Sequence, residues 1–269
     1  MNTHKKRRMI IIILALIFVL FILIGFIQPL SVTYYEYRSN TVPKAFDGFK
    51  IVQLSDFHCK AFGKNEATLI NKIKKLSPDL IVLTGDMVDE THSTDNLDYL
   101  LSGIADIAPI YAILGNHDNI DQNAYDNMLA LFEQYNVNLL YDTMTTLSKD
   151  DSTINLYGSR FSNWSGNCIK SSTEGFNLLL YHDANAFPVI SEFGYDVILS
   201  GHTHGGIIRL PGIGGLIGND RKLFPKYASG KFVNTDTDCT MFTSRGLGDS
   251  SIPRFYNPPE IVLLTLYSE

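Results

Sequence analysis

The stretch between residues 50 and 118 decides the fold. It holds three apolar runs that each end in polar side chains: KIVQLSDFH at 50–58, LIVLTGD at 80–86 and IYAILGNHD at 110–118. Short, almost wholly apolar runs are typical of strands buried on both faces. Helical patterns at Glu66–Leu76 and Asn96–Ile104 separate the three runs. This alternation of strands and helices predicts an α/β domain with helices packed on a sheet.

The pattern changes after a third helical stretch at Asp121–Tyr135. From Asn138 onward, short apolar runs are broken by Gly, Asn and Ser, which predicts strands without intervening long helices. These predicted strands are Ile154–Tyr157, Leu178–Tyr181, Val197–Ser200, Met241–Ser244 and Ile261–Tyr267. Since no repeat or linker follows residue 45, we expect a single domain over residues 46–269.

The composition excludes several classes of protein. Of the 269 residues, 19% are charged and 45% are apolar, which is too apolar for a disordered chain. Three cysteines are too few for a disulfide framework or a four-cysteine zinc site. The net charge of -6 argues against a nucleic-acid binder that works by phosphate neutralisation. We therefore expect no nucleic-acid partner.

The N-terminal region carries a membrane signal. Residues Met9–Ile27 contain no charge, amide or hydroxyl, and at 1.5 Å per residue they would span about 28 Å, close to the thickness of a bilayer core. Four basic residues, 5–8, precede them. The positive-inside rule then predicts a cytoplasmic segment 1–8, a transmembrane signal anchor 9–27, a juxtamembrane segment 28–45 and an extracytoplasmic domain.

Two alternatives to the anchor remain open. A cleaved signal peptide has an apolar region of about 7–15 residues and a small-residue cleavage site, whereas this run is longer and exits through GFIQPLSVTYY. A buried helix of a soluble protein would also be apolar. We favour the uncleaved anchor.

Five polar clusters follow the predicted strands. They are Asp56-Phe57-His58, Gly85-Asp86, Gly115-Asn116-His117-Asp118, Tyr181-His182-Asp183 and Gly201-His202-Thr203-His204. In an open α/β sheet, the loops at the carboxyl ends of the strands converge on one crevice. The sequence therefore predicts that these side chains meet.

The clusters supply carboxylate, imidazole and amide ligands, a mixture that suits Mn, Fe or Zn in a catalytic site. Seven residues are available, which exceeds the needs of one ion: Asp56, His58, Asp86, Asn116, His182, His202 and His204. Two divalent ions bridged by a carboxylate would accommodate them, with manganese favoured. Such a pair holds a hydroxide nucleophile and neutralises the oxygens of a phosphoryl group.

The ordered series D-x-H, G-D, G-N-H-D, H and G-H-T-H, from Asp56 to His204, resembles the calcineurin-like metallophosphoesterases. Residues 201–211 (GHTHGGIIRLP), 244–248 (SRGLG) and 258–266 (PPEIVLLTL) resemble one bacterial branch. That branch is the membrane- or wall-associated YkuE/YaeI type, which is related to the UDP-diacylglucosamine hydrolases.

The resemblance implies a four-layer α/β/β/α sandwich after the transmembrane helix, and it implies a role for each matched residue. Asp56, His58 and His204 would hold the first metal, with Asp86 bridging. Asn116, His182 and His202 would complete the second site. His117 would contact the scissile phosphate and stabilise charge or protonate the leaving group. Asp118 would orient His117.

Other polar residues near the series are given simpler interpretations. The role of Asp89 is left open, and Asp183 is expected to cap or brace its loop. Cys59 is interpreted as a small packed residue, since the ligand set is complete without it. His4 and His92 belong to no cluster and are expected to be solvated.

The C-terminal third bears on the substrate. Seven basic and four acidic residues lie between Gly205 and Arg254, and a basic rim would suit an anionic substrate, with Arg209 and Arg245 as candidate contacts. The apolar, glycine-rich stretch Gly205–Gly218 is either a lip that admits an acyl chain or touches the membrane, or an ordinary buried loop. A lip would favour a lipid-linked or cell-envelope phosphoester as substrate.

The leading hypothesis is a membrane-anchored, dinuclear metal phosphodiesterase that uses a metal-bridging hydroxide as its nucleophile. A phosphomonoesterase or a nucleotide-sugar or lipid pyrophosphatase with the same site is the alternative enzyme. A catalytically dead envelope-binding module is the alternative from another class, although such a module should have lost some of the seven ligands.

Overall fold

A computed structural model of the chain describes residues 3–161, 167–171, 174–218, 221–249 and 252–269. Within these residues, fourteen strands and five α-helices are formed, and twelve of the strands make up two six-stranded sheets. The predicted α/β class is confirmed. The sheets lie face to face, and their arrangement brings the predicted site residues to one end of the molecule.

The first sheet contains the three apolar runs with which the sequence pattern began. Its strands, in spatial order, are β1 (Ser31–Ser39), β14 (Glu260–Ser268), β2 (Phe49–Leu54), β3 (Leu80–Thr84), β4 (Ile110–Ile113) and β5 (Asn138–Leu139). Strands β2 to β5 run parallel, β14 is antiparallel to β2, and β1 is parallel to β14. Parallel strands need crossover connections, which the helices supply.

Three helices connect the parallel strands and cover the outer face of the first sheet. They are α2 (Ala67–Leu76), α3 (Asp95–Ile104) and α4 (Gln122–Gln134). Leu69 and Ile73 of α2 and Met128 of α4 pack with Val52 and Ile81 of the sheet in one buried cluster. The apolar face predicted for α2 is thus the face that the sheet buries.

The second sheet is built from the short strands of the C-terminal half. In spatial order they are β12 (Gly230–Asn234), β13 (Cys239–Thr243), β9 (Val197–Gly201), β8 (Asn177–Asp183), β7 (Ser152–Ser159) and β6 (Thr143–Lys149). The central four are parallel, and the two edge strands are antiparallel to their neighbours.

A second buried cluster fills the space between the sheets. Ile51 and Val82 of the first sheet meet Leu156, Leu199 and Phe242 of the second. Ile51 and Val52 point to opposite faces because side chains alternate along a strand. Both faces of β2 and β3 are therefore covered, which explains why LIVLT at 80–84 is wholly apolar.

The outer face of the second sheet is covered more thinly. A third cluster joins Leu179, Ile198 and Met241 of the sheet to Phe187 and Ile190 of the four-residue helix α5 (Phe187–Ile190). Loops supply the rest of this cover, including Tyr195 and Tyr227.

Helix α1 and a two-stranded hairpin lie apart from the two six-stranded sheets and the helices that cover them. Helix α1 (Thr3–Gly25) is long and apolar enough to cross a membrane, and only 6% of its apolar segment is buried against the rest of the chain. The hairpin of β10 (Ile208–Leu210) and β11 (Gly214–Ile217) follows His204. Its residues 208–217 are half-buried or exposed, whereas residues 205–207 and Gly218 of the same stretch are buried.

One segment differs from its predicted role. Residues 28–45 were interpreted as a juxtamembrane segment, yet they contain β1, whose nine residues pair continuously with β14. The three tyrosines at 34, 35 and 37 belong to this strand. The signal was weak because β1 alternates exposed and half-buried residues rather than forming an apolar run.

Candidate metal centre

The predicted ligands meet at the carboxyl ends of the parallel strands, with both sheets contributing. Asp56 and His58 follow β2, Asp86 follows β3, and Asn116 lies in the loop after β4. The second sheet delivers His182 at the end of β8 and the pair His202 and His204 after β9. Two layers of parallel strands end at the same edge of the molecule, so seven side chains from five loops become neighbours.

The ligand atoms fall into two groups of three. Asp56, His58 and His204 form one triad, and Asp86, His182 and His202 form the other; within each triad, the potential ligand atoms lie within 4.8 Å of one another. These are the groups that the family resemblance implies for two separate ions. Their assignment as ligands remains a prediction.

Asp86 lies between the triads. Its Oδ2 is 3.1 Å from Nε2 of His182 in its own triad and 3.9 Å from Nε2 of His58 in the other. The amide oxygen of Asn116 adds to the second triad, because Oδ1 lies 3.1 Å from Nε2 of His182. A carboxylate in this position suits the predicted bridging role.

The loops are held in unusual backbone conformations. Asp56, His58, Asp86, His202 and His204 all have positive φ, between 46° and 70°. For residues other than glycine, this left-handed region costs on the order of 1 kcal/mol each, and such strain clusters at functional sites. Hydrogen bonds offset part of this cost: the amide of His202 donates to Oδ1 of Asp56 at 3.0 Å, and that of His117 to Oδ1 of Asp86 at 2.7 Å.

Asp118 holds two of these loops through hydrogen bonds to their backbone amides. Its carboxylate is fully buried and accepts hydrogen bonds from four backbone amides, those of Asp86, Met87, Val88 and Gly115. Burial, together with the nearby Asp86 charge, raises the pKa of Asp118 to about 6. The carboxylate is thus engaged by the loop backbone, and its role in orienting His117 remains a prediction.

Glu90 is the carboxylate beside His117. Its Oε2 lies 3.2 Å from Nδ1 of His117, and hydrogen bonding, in part from His117, lowers the pKa of Glu90. His117 is half-exposed and its ring lies 5.1 Å from that of His58. The sequence reasoning missed Glu90, which belongs to none of the five clusters.

Glycines allow the loops to approach closely. A Cβ added at Gly115 would overlap Oδ1 of Asp86, and one added at Gly201 would overlap Oγ of Ser55 and crowd Oδ2 of Asp56. The glycines that end the apolar runs are therefore required by contact with the ligand carboxylates.

The donor atoms fit divalent metal ions. Nε2 of His58 is buried and has no hydrogen-bond partner among the described residues, while its Nδ1 lies 3.7 Å from Oδ2 of Asp89. Nδ1 of His182 lies 2.8 Å from the carbonyl of Thr84, which leaves Nε2 directed at Asp86 and Asn116. A partner on one ring nitrogen with the other nitrogen directed at the site is the usual arrangement of a metal-ligating histidine.

The electrostatics differ between the imidazoles. Burial lowers the pKa of His58 and of His202, and burial with the nearby Arg254 charge lowers the pKa of His204 to about 3, so these rings are neutral and able to coordinate. For His182, burial is outweighed by the Asp86 carboxylate, which raises the pKa to about 10. Metal binding there would displace a proton.

Arg254 is a buried cation that the sequence reasoning did not single out. Its Nη2 lies 3.5 Å from Nδ1 of His204 and donates to the carbonyl of Arg245 at 2.8 Å, and only 3% of the residue is exposed. No local pattern indicates this placement, because Arg254 follows no apolar run.

The two arginines predicted to contact substrate are bonded within the protein. Nη2 of Arg245 lies 2.7 Å from Oε2 of Glu260, and Nη1 of Arg209 donates to the carbonyl of Gly205 and to Oγ of Ser229. The described wall of the site cavity includes neither arginine. Their guanidinium groups contact β1, β14 and the hairpin, and a contact with substrate remains a prediction.

The remaining polar residues near the series are accounted for. Asp183 accepts from the amide of Asn185 at 2.9 Å, which confirms that it caps its loop. Cys59 is buried, and burial raises the pKa of its thiol to about 12, as expected of a packed residue. His92 was expected to be solvated, and its side chain is 55% exposed, with Nδ1 2.8 Å from Oδ2 of Asp89.

A cavity of about 440 Å³ opens over both triads. His58 and His204 of one triad, His202 of the other, and Asn116 and His117 line it. The cavity brings a bound group within reach of both candidate metal positions and of the half-exposed His117 ring. This arrangement can hold a tetrahedral anion against two cations with a proton donor beside it.

Comparison with known proteins agrees with this geometry. Residues 49–206 match the family described as calcineurin-like phosphoesterase. The chain is 30% identical to the uncharacterized metallophosphoesterase YkuE of Bacillus subtilis, covering 90% of this chain and 88% of YkuE.

Two further relatives have more specific names. Phosphodiesterase YaeI of Escherichia coli is 27% identical, covering 86% of this chain and 84% of that protein. UDP-2,3-diacylglucosamine pyrophosphatase LpxG of Chlamydia muridarum is 24% identical, covering 83% of this chain and 86% of LpxG. The predicted superfamily and branch are confirmed.

Proposed function

The chain belongs to the calcineurin-like phosphoesterase family and is a phosphoester hydrolase, and we propose that it is a membrane-anchored phosphodiesterase dependent on two divalent ions. The observation that carries the proposal is the pair of triads with Asp86 between them. Two ions bound there would supply a nucleophile derived from water and would neutralise charge on the phosphoryl oxygens.

The chain's own residues perform the remaining tasks. One ion would be held by Asp56, His58 and His204. The other would be held by Asn116, His182 and His202. Asp86 would bind both ions. Manganese is the favoured ion because the ligand set mixes carboxylate, amide and imidazole without thiolate. Asp118 fixes the loops that carry Asp86 and Asn116, so the ligands are placed before any ion binds.

His117 would act on the leaving group. Its ring is half-exposed in the cavity wall beside the candidate metal positions, where a proton can pass to the departing oxygen. Glu90, whose Oε2 lies 3.2 Å from Nδ1 of His117, would hold the ring so that Nε2 is directed away from Glu90. Since the carboxylate accepts from Nδ1–H, Nε2 would pass a proton to the departing oxygen from the doubly protonated ring.

The preference for a diester is the finer part of the proposal. The name of YaeI supports it, whereas the name of LpxG points to a pyrophosphatase, and the same metal pair would serve either reaction. A substrate in the membrane or cell envelope is consistent with the exposed apolar helix α1. We place the helix across the membrane with residues 31–269 outside the cytoplasm, because the cations at 5–8 precede it.

The test is hydrolysis by the full chain in detergent, loaded with Mn²⁺, of bis-p-nitrophenyl phosphate, p-nitrophenyl phosphate and a nucleotide-sugar diphosphate. We expect turnover of the diester above that of the other two. Asp86→Ala should lose both bound metal and turnover. His117→Asn should lower kcat by about 10²–10⁴ with metal content intact.

Asp151→Ala is the matched control, since this acid is exposed in the turn between β6 and β7. Full activity and normal metal content in Asp86→Ala would refute the proposal. Preference for the monoester or the diphosphate would replace the diesterase by one of the alternative enzymes. Two bound metals with no turnover of any substrate would favour the binding module.

A further inference from the structure

A surface strip formed by the turn of the hairpin and the segment after it combines exposed apolar and basic side chains. It consists of Ile213, Arg221, Lys222, Leu223, Phe224 and Lys226, and we call it the basic–apolar strip. Ile213 is 64% exposed, Leu223 65% and Phe224 63%. Large apolar side chains grouped at the surface mark interaction sites, and their mixture with cations is typical of surfaces that bind anionic lipid.

Backbone pairing links the strip to the loop after Arg254. Leu223 bridges Ile217, Ile217 pairs with Ile208, and Ile208 bridges Phe255. Neighbouring strands lie about 4.8 Å apart, so the backbone of Leu223 is roughly 15 Å from that of Phe255. Isolated bridges therefore connect Leu223 of the strip and Phe255 to the two-stranded hairpin between them.

Phe255 and its neighbour also fix the end of helix α1. The Phe255 ring lies 5.1 Å from that of Phe26, and the hydroxyl of Tyr256 donates to the carbonyl of Phe21 at 2.7 Å. The amide of Tyr256 donates to the carbonyl of Gly25, where any Cβ would overlap the Phe255 ring. The helix is thus docked on the sheet that carries the strip.

The direction of the strands places these features at the end of the molecule that holds the candidate metal centre. Ser31 begins β1 opposite Glu260, whose amide donates to the carbonyl of Gly246, and Gly246 packs on Asp56. The chain therefore passes from α1 into the domain beside the centre. The opposite end, where Asn234 pairs with Cys239, lies a full strand length away.

We propose that the basic–apolar strip docks on the anionic surface of the bilayer that α1 crosses. The proposal rests on the membrane anchoring proposed above. Residues after Arg8 carry 18 basic and 28 acidic side chains, so an anionic bilayer repels most of the domain. The strip combines three cations with three exposed apolar side chains, and it lies where the helix would leave the membrane. The docked strip holds the domain with its metal centre near the lipid headgroups.

The experiment uses the full chain in vesicles of phosphatidylglycerol and phosphatidylethanolamine containing lipid-borne quencher. A fluorescent probe is attached to single cysteines introduced by Ile213→Cys or Phe224→Cys; Cys59, Cys168 and Cys239 are buried. Leu14→Cys in α1 reports insertion, and Val233→Cys, an exposed apolar position towards the opposite end of β12, is the matched control.

We expect at least about twofold quenching at 213 and 224, as for side chains that enter the headgroup region, and none at 233. Replacing Arg221, Lys222 and Lys226 by Ser should weaken docking about fivefold per cation, from about 1 kcal/mol each, and neutral phosphatidylcholine should weaken it similarly.

Quenching at 14 without quenching at 213 and 224 would overturn the docked strip and leave the anchor intact. Absence of quenching at 14 would overturn both the anchor and the strip, whereas hydrolysis of bis-p-nitrophenyl phosphate, measured separately, tests the proposed activity. Equal quenching at 213 and 224 in neutral and anionic vesicles would overturn the anionic lipid as the partner.

Discussion

The candidate metal centre and the basic–apolar strip lie at the same end of the molecule. In the chain, all predicted ligands precede Ile207 and all strip residues follow it. The two regions differ in how deeply their side chains are buried. In the centre, five of the seven predicted ligands are buried, and Asp118 and close-packed glycines hold their loops. In the strip, every member is exposed.

The contrast shows which interactions a change can disturb. A buried polar group shares hydrogen bonds and space with its neighbours, so replacing one leaves others unsatisfied. An exposed side chain can exchange protein contacts for water at little cost to the fold. We therefore expect substitutions of buried residues in the centre to affect stability, metal and turnover together, and substitutions in the strip to affect only membrane docking.

Asp118→Ala should have the largest effect on stability. It leaves four buried backbone amides without their acceptor, and we expect the free energy of unfolding to fall by about 3 kcal/mol or more. Denaturant unfolding of the metal-free protein measures this. Asp118→Asn, which keeps one acceptor oxygen, should fall between Ala and the unmodified chain; an Ala variant of undiminished stability would break the comparison.

Gly115→Ala and Gly212→Ala compare a glycine of the centre with a glycine of the hairpin. The added Cβ overlaps Oδ1 of Asp86, so we expect loss of bound metal and at least about a hundredfold lower kcat. Gly212→Ala is the control: its φ is +77° but nothing lies within 4 Å of the new Cβ, so only about 1 kcal/mol of strain is expected. Metal analysis and diester turnover distinguish the two; equal effects would contradict the prediction.

Glu66 tests whether burial of a carboxylate away from the metal centre is enough to change the stability of the fold. Its carboxylate is buried at the start of α2 with a single backbone donor, the amide of Phe62, and burial raises its pKa to about 7. Because the folded pKa exceeds the unfolded one, the protonated form stabilises the fold at low pH, and this stability is lost as the pH rises from about 4.5 through 7.

Glu66→Gln should therefore be more stable than the unmodified chain above pH 7, by about 2 kcal/mol, and this advantage should vanish near pH 4.5. Thermal unfolding of both proteins across this range is the measurement. A difference that does not vary with pH would show that the charge of Glu66 is not the cause.

Ile213→Ser should have the smallest effect. The side chain is 64% exposed, so the free energy of unfolding should change by less than about 0.5 kcal/mol, and turnover of a small soluble diester should be unchanged. Loss of turnover comparable to that of Gly115→Ala would show that the hairpin belongs to the catalytic machinery.

Much of the fold followed from local pattern. The predicted strands at 80–84 and 197–200 differ from the observed ones by at most one residue, because a wholly apolar run between turn residues has few other solutions. Strand β1 was not assigned, because it is an alternating strand whose partner, β14, lies more than two hundred residues away. Pairing at that distance leaves no local signal.

The candidate site was foreseen in part. Polar clusters after apolar runs identified seven side chains that the structure brings together, since parallel strands deliver their ends to one edge. Arg254, 3.5 Å from His204, and Glu90, 3.2 Å from His117, were missed because their place depends on how loops cross. The contacts of Arg209 and Arg245 within the protein were not foreseen, because net charge along a stretch does not tell which cations are already paired.

The sequence by itself determined the α/β class, the family, the apolar helix near the N-terminus and the identity of the residues that meet at the centre. These follow from periodicity, spacing and residue chemistry, which are local properties. The tertiary structure decided which carboxylate serves which neighbour, as with Asp118 and the loop amides, and it joined α1, Phe255 and the hairpin into one surface. Contacts between distant segments depend on packing and on the competition among partners, and neither is written in any single stretch of the chain.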